Sequence, residues 1–380
     1  MNNKHIIKAE FFNTGVDPSV RNVGLDLIRG LCVILIVLAH TNNILKSYIP
    51  ILYRTLFPFV EMSQNVFFAL SGYLIGNQIL RMTREPGFGK KELFSFYKKR
   101  WIRTLPFYYM FLIVNLILFH FVYLPYGPEF LKFDFKPFPY FVFIQNLFSR
   151  HPNFFPEIWS MPIEEWSYLL LPLPFLILGN IFRKGNVFGR RLFYFVILIL
   201  LVQAARMIHI NFNHPETDWE LRKIVIYRLD ALVYGCILAL MAQSERIRDY
   251  VAARRNRLLA LGLLMLAISL FFNRLLTKET YNTIFFLYQP LACTLILPYF
   301  IYSSFNLNAM SKILTHLSLT SYAILLSHLY CIQFLFITFC KVNSLGSALL
   351  TTFVYLLALV LFSTIFYNLV ERPILIMRKK

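Results

Sequence analysis

The chain has 380 residues, of which 58% are hydrophobic and only 15% are charged. A soluble domain carries about 25% charged residues. A helix that spans a bilayer needs about 20 mostly apolar residues, and such stretches recur from one end of this sequence to the other. The composition excludes a single water-soluble globule and predicts an all-α integral membrane protein.

The formal net charge of +19 raises the question of nucleic-acid binding. A domain that binds nucleic acid concentrates its basic residues on one patch, together with elements that read grooves or bases. Here the basic residues form short blocks between apolar stretches, as expected for the excess of Lys and Arg on cytoplasmic loops. We therefore expect a lipid bilayer, and no nucleic acid, among the partners.

The apolar stretches predict a bundle of about ten transmembrane helices. They lie at 24–46, 57–80, 104–124, 166–182, 191–210, 226–243, 256–273, 283–304, 317–340 and 347–370. With the N-terminus inside, the inner segments hold 25 of the 38 Lys and Arg residues and the opposite loops hold 10. This asymmetry predicts that both termini are cytoplasmic.

The predicted organisation is a cytoplasmic tail over 1–23, a membrane domain over 24–371 and a basic cytoplasmic tail over 372–380. Residues 1–23 contain no apolar core of a cleavable signal peptide, so the first span is expected to act as its own insertion signal. We expect a multi-pass protein of the inner (cytoplasmic) membrane.

No metal site is expected. The five cysteines show neither a CxxC pair nor the spacing of metal ligands, and the HExxH, GxSxG and phosphate-loop patterns are also missing from the sequence. The cysteines all lie in apolar stretches, at Cys32, Cys236, Cys293, Cys331 and Cys340. We interpret them as small buried hydrophobic residues and expect no permanently bound cofactor.

The first span carries the most informative polar residues, because an ionisable side chain at the bilayer centre costs on the order of 3 kcal/mol. Arg29 and His40 are eleven residues apart, which is about three helical turns, so both project from one face about 16 Å apart along the axis. Asp26 lies close enough to Arg29 to pair with it. We predict that Arg29 holds a phosphate or carbonyl of a long, anionic thioester substrate and that His40 acts as a general base. The alternative is that Arg29 reaches the interface and His40 bonds a backbone carbonyl.

Two further clusters could complete such a site. Glu164 and Glu165 lie in IWSMPIEEWSYLLLPL, at the outer mouth of the fourth span. Because adjacent helical residues point about 100° apart, at most one of them faces the interior squarely. It would act as acid or base or orient His40, unless it is an interfacial carboxylate beside a Trp anchor. Arg100 and Arg103 share a helix face and would bind donor phosphates or anchor the cytoplasmic loop.

Three other polar residues lie in or at the start of apolar stretches. Arg228 and Asp230 begin the sixth span, where structural pairing and substrate binding are equally compatible with the sequence. His328 lies in the middle of the ninth span and is interpreted as a ligand or as a core histidine with satisfied hydrogen bonds.

Taken in order, these motifs resemble the acyltransferase-3 family of bacterial membrane acyltransferases. The Arg-x10-His pattern in LDLIRGLCVILIVLAH is followed by NVFFALSGYLIG, KKRWIRTLPFYY, WSMPIEEWSYLLLP, YRLDALVYGCILA, LTSYAILLSHLY and the terminal VERPILIMRK. These are similar to the family's FFxLSGFLI, RxxR, WSLSVEEQFYLLWP, RFDALLLGALLA, SYSLYLLH and VERPFLRLRR. The sequence departs from this pattern at Met161-Pro162, where Leu-Ser is usual, and at Trp166, where Gln is usual.

The resemblance implies transfer of an acyl group, commonly acetyl from acetyl-CoA, to a hydroxyl of a cell-surface or lipid-linked carbohydrate. It implies that Arg29 and His40 form the essential pair, that Arg100 and Arg103 form the RxxR element, and that Glu164 or Glu165 supplies the fourth-span carboxylate. The alternative is a transporter or exporter whose buried charges line a translocation path.

Overall fold

The structure, a computed structural model, describes residues 22–305 and 309–377, so most of the predicted N-terminal tail and the end of the C-terminal tail lie outside the described residues. The described residues form helices and connecting loops, with no strand among them. The ten longest helices are α1 Val23–His40, α2 Pro50–Met82, α3 Lys90–Leu118, α4 Ser160–Leu170, α5 Val187–Asn213, α6 Val233–Ala242, α7 Arg255–Ser269, α8 Lys278–Tyr302, α9 Ala309–Ser327 and α10 Leu345–Phe366. The predicted all-α class is confirmed.

Short helical segments join or extend these helices. They are Asn42–Leu45, Phe119–Tyr123, Leu124–Tyr126, Glu129–Leu131, Phe138–Phe141, Pro156–Trp159, Leu173–Ile177, Gly179–Arg183, Thr217–Arg222, Val225–Tyr227, Glu245–Ala253, Phe272–Leu275, His328–Gln333, Phe334–Phe339, Tyr367–Glu371 and Arg372–Met377. Several long helices begin at a side-chain cap: Asn22 accepts the Leu25 N–H at 3.2 Å, and Ser344 accepts the Ser347 N–H at 3.2 Å. Such caps satisfy backbone donors that have no partner within the helix.

Six helical stretches of the described residues are long and apolar enough to cross a membrane, judged by length and composition. They are Val23–Leu45, Lys90–Tyr126, Val187–Asn213, Lys278–Tyr302, Ala309–Phe339 and Leu345–Ile374. The helices of the chain are therefore those of a multi-pass membrane protein. The count of about ten spans and the cytoplasmic position of the termini stay predictions.

The remaining predicted spans differ from the structure for physical reasons. The fourth is interrupted after Leu170, because Pro172 and Pro174 remove backbone donors that a continuous helix needs. The sixth is reduced to the 10 residues of α6. Along α2, polar residues such as Asn65 and Asn77 lower the hydropathy of an otherwise apolar helix of 33 residues.

Helices α2 and α6 pack at a pair of glycines, and this contact explains two of the sequence motifs. A Cβ atom at Gly72 would lie 1.9 Å from the Leu232 carbonyl oxygen, and one at Gly235 would lie 2.0 Å from the Ala69 carbonyl oxygen. Only a hydrogen fits at either position. The glycines of LSGYLIG and LVYG thus bring α2 against α6, and the other side of α2 is left to border the interior cavity.

Candidate active site

A cavity of about 810 Å³ runs through the helix bundle and is bordered by residues from α1, α2, α3, α4 and α9. Arg29 and His40, which the spacing on α1 predicts to share a face, both border it. Since α1 rises about 1.5 Å per residue, the two side chains mark levels about 16 Å apart. We refer to these levels as the Arg29 end and the His40 end of the cavity.

The imidazole of His40 is held in one orientation at the last turn of α1. Its Nδ1 lies 2.8 Å from the Ile36 carbonyl oxygen. A carbonyl oxygen only accepts hydrogen bonds, so Nδ1 carries the proton and Nε2 keeps a free lone pair. The Gln333 side chain donates to the His40 carbonyl oxygen at 2.8 Å, and Asn43 donates to Gln333 at 2.8 Å. His40 therefore both bonds a backbone carbonyl and presents a basic nitrogen at the cavity.

His328 is the aromatic neighbour of His40. The two rings meet edge to face with centroids 4.9 Å apart. His328 is buried and borders the cavity. Its Nδ1 lies 3.1 Å from the Leu325 carbonyl oxygen, while its Nε2 has no hydrogen-bond partner among the described residues. One nitrogen of His328 is thus satisfied, as in a core histidine, and the other is left available beside His40.

Around Arg100, Glu164 belongs to a tight cluster of side chains. The Arg100 guanidinium lies 3.7 Å from the centre of the Tyr168 ring and its Nη2 is 3.8 Å from Glu164 Oε2. The Tyr168 hydroxyl donates a short hydrogen bond to the same oxygen, and Ser71 donates to it at 3.4 Å. Glu164 is therefore held by α2, α3 and its own helix α4.

Glu165 is buried beside this cluster, where Thr104 of α3 donates to its Oε1 at 3.3 Å. Both glutamates border the cavity, whereas the angle between adjacent helical residues predicts that at most one faces it squarely. The cavity borders one broad face of α4, which includes both glutamates together with Ser160 and Met161. The groups that contact the two glutamates come from α2, α3 and α4, whereas those that contact His40 come from α1 and the segment around His328.

Basic residues collect at the Arg29 end. Arg29, Arg100 and Arg103 all border the cavity, and so does the buried Glu371 from the C-terminal VERP motif. Asp26 does not border it; this buried carboxylate accepts a hydrogen bond from Ser318 of α9 at 2.8 Å. The sequence predicts the three arginines as a donor site, but it does not assign a role to Glu371.

Arg228 and Asp230 lie away from the cavity, in a buried polar network. Both oxygens of Asp230 accept hydrogen bonds from Arg206 of α5, at 2.9 and 2.7 Å. Arg228 donates to Asn65 of α2 at 2.8 Å. These contacts join α2 and α5 to the chain before α6, and they favour the structural interpretation of both residues over substrate binding.

Sequence reasoning missed the segment that closes the His40 end. Asp218, Trp219, Arg222 and Lys223 all border the cavity there. Lys223 Nζ lies 2.9 Å from Asp218 Oδ2 and 3.5 Å from the Trp219 ring centre, and Arg222 also pairs with Asp218. The signal in the sequence is the polar run TDWELRK between two apolar stretches, but nothing in its spacing shows that it folds back over the end of α1.

Burial and neighbouring charges shift the titration of this segment. Burial, reinforced by Arg222, lowers the pKa of Lys223 to about 8. Although burial alone raises the pKa of Asp218, Arg222 and Lys223 hold it below its usual value. Burial raises the pKa of Glu157, another residue at the cavity, to about 8.

No group of three or more His, Cys, Asp or Glu side chains that could hold a metal ion occurs within 22–305 and 309–377. The arrangement offers instead a long passage with a cluster of arginines at one level and a basic imidazole nitrogen at the other. Such a passage can hold an extended anionic molecule while a hydroxyl is deprotonated at its far end.

Comparison with known families matches residues 22–368 to a model described as an acyltransferase domain. The match covers most of the chain. The chain belongs to the acyltransferase-3 family. The family that the ordered motifs resemble is thereby confirmed, together with an enzyme that transfers acyl groups, and the match gives no support to the transporter alternative.

The curated proteins similar to this acyltransferase-3 member include the O-acetyltransferases OatA of two Staphylococcus aureus strains, NCTC 8325 / PS 47 and COL. Each is 27% identical over 224 residues, which are 57% of this chain and 34% of the relative. The matched part therefore spans about a third of the length of these relatives. No solved structure matches the chain.

The departures from the acyltransferase-3 motif have visible consequences. Trp166 donates from its indole N–H to the carbonyl oxygen of Phe143 at 2.9 Å, and Phe143 adopts a positive φ of 57°. Pro162 lies in the first turn of α4, where a missing backbone donor is tolerated. Met161 borders the cavity. The unusual Trp thus fixes a loop, and only Met161 changes the cavity wall.

Proposed function

We propose that this protein is a membrane O-acetyltransferase that moves an acetyl group from acetyl-CoA to a hydroxyl of a cell-surface or lipid-linked carbohydrate. The observation that carries the proposal is the single cavity shared by the arginines at one level and the basic Nε2 of His40 at the other. Family membership and the name of the OatA relatives support it.

The donor enters at the Arg29 end. Arginine presents a planar fork of N–H groups that suits phosphate oxygens, and Arg29, Arg100 and Arg103 would share the phosphates of coenzyme A. The thioester arm then extends along α1 toward His40. This placement is consistent with cytoplasmic termini and an inner-membrane location, because the Arg29 end then faces the cytoplasm, where acyl-CoA is made.

Transfer at the His40 end needs a base and no cofactor. His40 Nε2 takes the proton of the acceptor hydroxyl as the oxygen attacks the thioester carbonyl carbon. The carbon–sulfur bond breaks, the acetyl ester forms, and the proton passes from the imidazolium to the departing thiolate. Glu164 is a positioning residue in this scheme, because its contacts hold Arg100; Glu165 and His328 are further candidates to support the proton transfer.

The test uses the purified full chain in liposomes with radiolabelled acetyl-CoA and an envelope glycan extract. General-base catalysis contributes about 10²–10⁴-fold, so His40→Gln is expected to lower the formation of acetyl ester on glycan by at least about 100-fold. His120→Gln is the matched control, because His120 is an exposed histidine of a membrane helix that does not border the cavity.

Mass spectrometry of the glycan identifies the acceptor and the group that is transferred. Wild-type rates of acetylation by His40→Gln would remove His40 from the mechanism. Movement of labelled substrate across the liposome membrane without any ester product would reject the transferase itself.

A further inference from the structure

The His40 end of the cavity carries more positive charge than its own carboxylates neutralise. Lys46, Arg222 and Lys223 border the cavity there. Asp218 pairs with Arg222 and Lys223, and Glu61 lies 3.8 Å from Arg222. Both carboxylates are thus paired with Arg222 and Lys223, and neither pairs with Lys46.

Arg222 also has a buried hydrogen-bond donor without an acceptor among the described residues. The residue is 5% exposed, and its Nη1 has no hydrogen-bond partner among the described residues. Its guanidinium carbon lies 4.6 Å from the centre of the Trp159 ring, and its Nε and Nη2 donate to Asp218. A buried donor that lacks a partner is costly, so Nη1 is suited to an acceptor atom supplied by a ligand.

A second unpartnered polar atom lies on the same passage. Asn42 is 8% exposed and borders the cavity two residues after His40, and its Oδ1 has no hydrogen-bond partner among the described residues. Carbohydrate hydroxyls both donate and accept. The same cavity is therefore bordered by an amide that suits a hydroxyl and by a guanidinium that suits an anion.

We propose that the acceptor is an anionic carbohydrate, whose carboxylate or phosphate is bound by Arg222 and Lys46 while a hydroxyl reaches His40. This inference rests on the proposed acetyl transfer and adds the chemical class of the acceptor. A carboxylate and a phosphate present the same pair of oxygens to a guanidinium, so the shared feature is the anion. The first source would be an acidic sugar, and the second would be a sugar linked to lipid through phosphate.

The test measures binding of three small probes to the purified full chain in nanodiscs. Methyl glucuronide carries a carboxylate, glucose 1-phosphate carries a phosphate, and methyl glucoside is neutral. We expect at least one anionic probe to bind about tenfold more tightly than the neutral one, a difference of about 1.4 kcal/mol. The tighter of the two anionic probes identifies the source of the charge.

Two variants locate the anion. Lys46→Met and Arg222→Gln are each expected to weaken the binding of the anionic probe about tenfold and to leave the binding of the neutral probe unchanged. Lys46 is exposed, so its replacement tests the site even if the Arg222 variant unfolds. Lys341→Met is the matched control, because Lys341 is an exposed lysine that does not border the cavity. It lies on the same side of the molecule as Lys46, since the carbonyl oxygen of the next residue, Val342, accepts a hydrogen bond from the Tyr48 hydroxyl.

The inference is overturned if neither anionic probe binds more tightly than the neutral one, or if Lys341→Met weakens binding as much as Lys46→Met. Acetyl transfer from acetyl-CoA to the same sugars separates this inference from the proposed function. Equal rates on neutral and anionic sugars reject the anion site and keep the transferase. Selective anion binding without transfer to any acceptor keeps the site and rejects the transferase.

Discussion

Replacement of Asp230 by Ala removes the partner of a cation that has no access to water. The Arg206 and Asp230 side chains are 0% and 2% exposed, and two hydrogen bonds join them. Removal of one partner of a buried ion pair costs about 3–5 kcal/mol, because the other charge stays buried without compensation. The donation from Arg206 to Gln203 and to the Tyr227 carbonyl remains, so we expect the lower part of that range.

The assay is thermal unfolding of the purified full chain in one detergent, combined with acetyl-transfer kinetics on the protein that stays folded. Asp230→Ala should lower the melting temperature strongly and leave the KM for acetyl-CoA unchanged, since Asp230 does not border the cavity. The double variant Arg206→Met with Asp230→Leu should recover part of the lost stability, because the Arg206 charge is then no longer buried without its partner.

The opposite result would contradict the structural role of Asp230. If Asp230→Ala melts at the wild-type temperature and yet transfers acetyl groups much more slowly, the buried network is not what the residue maintains. A double variant as unstable as the single one would also contradict the ion-pair explanation, since its stability would then depend on shape and not on charge.

Three further predictions address packing, charge and positioning. Gly235→Ala overpacks the α2–α6 contact and should destabilise the protein by about 1–3 kcal/mol, measured as a lower melting temperature. The affinity for an anionic probe should fall between pH 7 and pH 9, because Lys223 loses its charge as the pH rises through about 8. Tyr168→Phe keeps the ring under Arg100 but removes the hydrogen bond to Glu164, so acetyl transfer should slow about tenfold while the melting temperature is kept.

Each of these predictions has its own control. Gly87→Ala should be neutral, because a Cβ at Gly87 has no atom within 4 Å. Lys223→Arg should abolish the loss of affinity between pH 7 and pH 9, and a loss that persists in this variant would assign the titration to another group. Tyr97→Phe removes a hydroxyl from the neighbouring helix α3 without a contact to Glu164; equal slowing by both tyrosine variants would mean that Glu164 is not the reason.

The fold class and the face of α1 were predictable because helical geometry is local. Eleven residues bring Arg29 and His40 onto one face whatever surrounds the helix, and the structure places both at one cavity. The pairing of Arg100 with Glu164 was not predictable in the same way. It joins residues 64 positions apart in the sequence, and only the packing of α3 against α4 brings them within 3.8 Å.

The same limit explains the neighbours of His40. His328 and the Asp218–Lys223 segment reach it from distant parts of the chain, and neither carries a local pattern that indicates this. Glycine motifs were also ambiguous, because a sequence does not show which backbone approaches a glycine. Gly72 and Gly235 gain their meaning only from each other's helices, where a Cβ would lie about 2 Å from a carbonyl oxygen.

Two kinds of feature therefore carry the function that we propose. One is the set of side chains that border the cavity, among them Arg29, His40, Arg100 and the two glutamates. The other holds the helices in place, through the Arg206–Asp230 ion pair and the close contact of α2 with α6 at Gly72 and Gly235. Because the second kind positions the helices on which the first kind depends, substitutions in either would abolish acetyl transfer in cells. Only measurements on a purified, folded variant distinguish the loss of catalysis from the unfolding of the helix bundle.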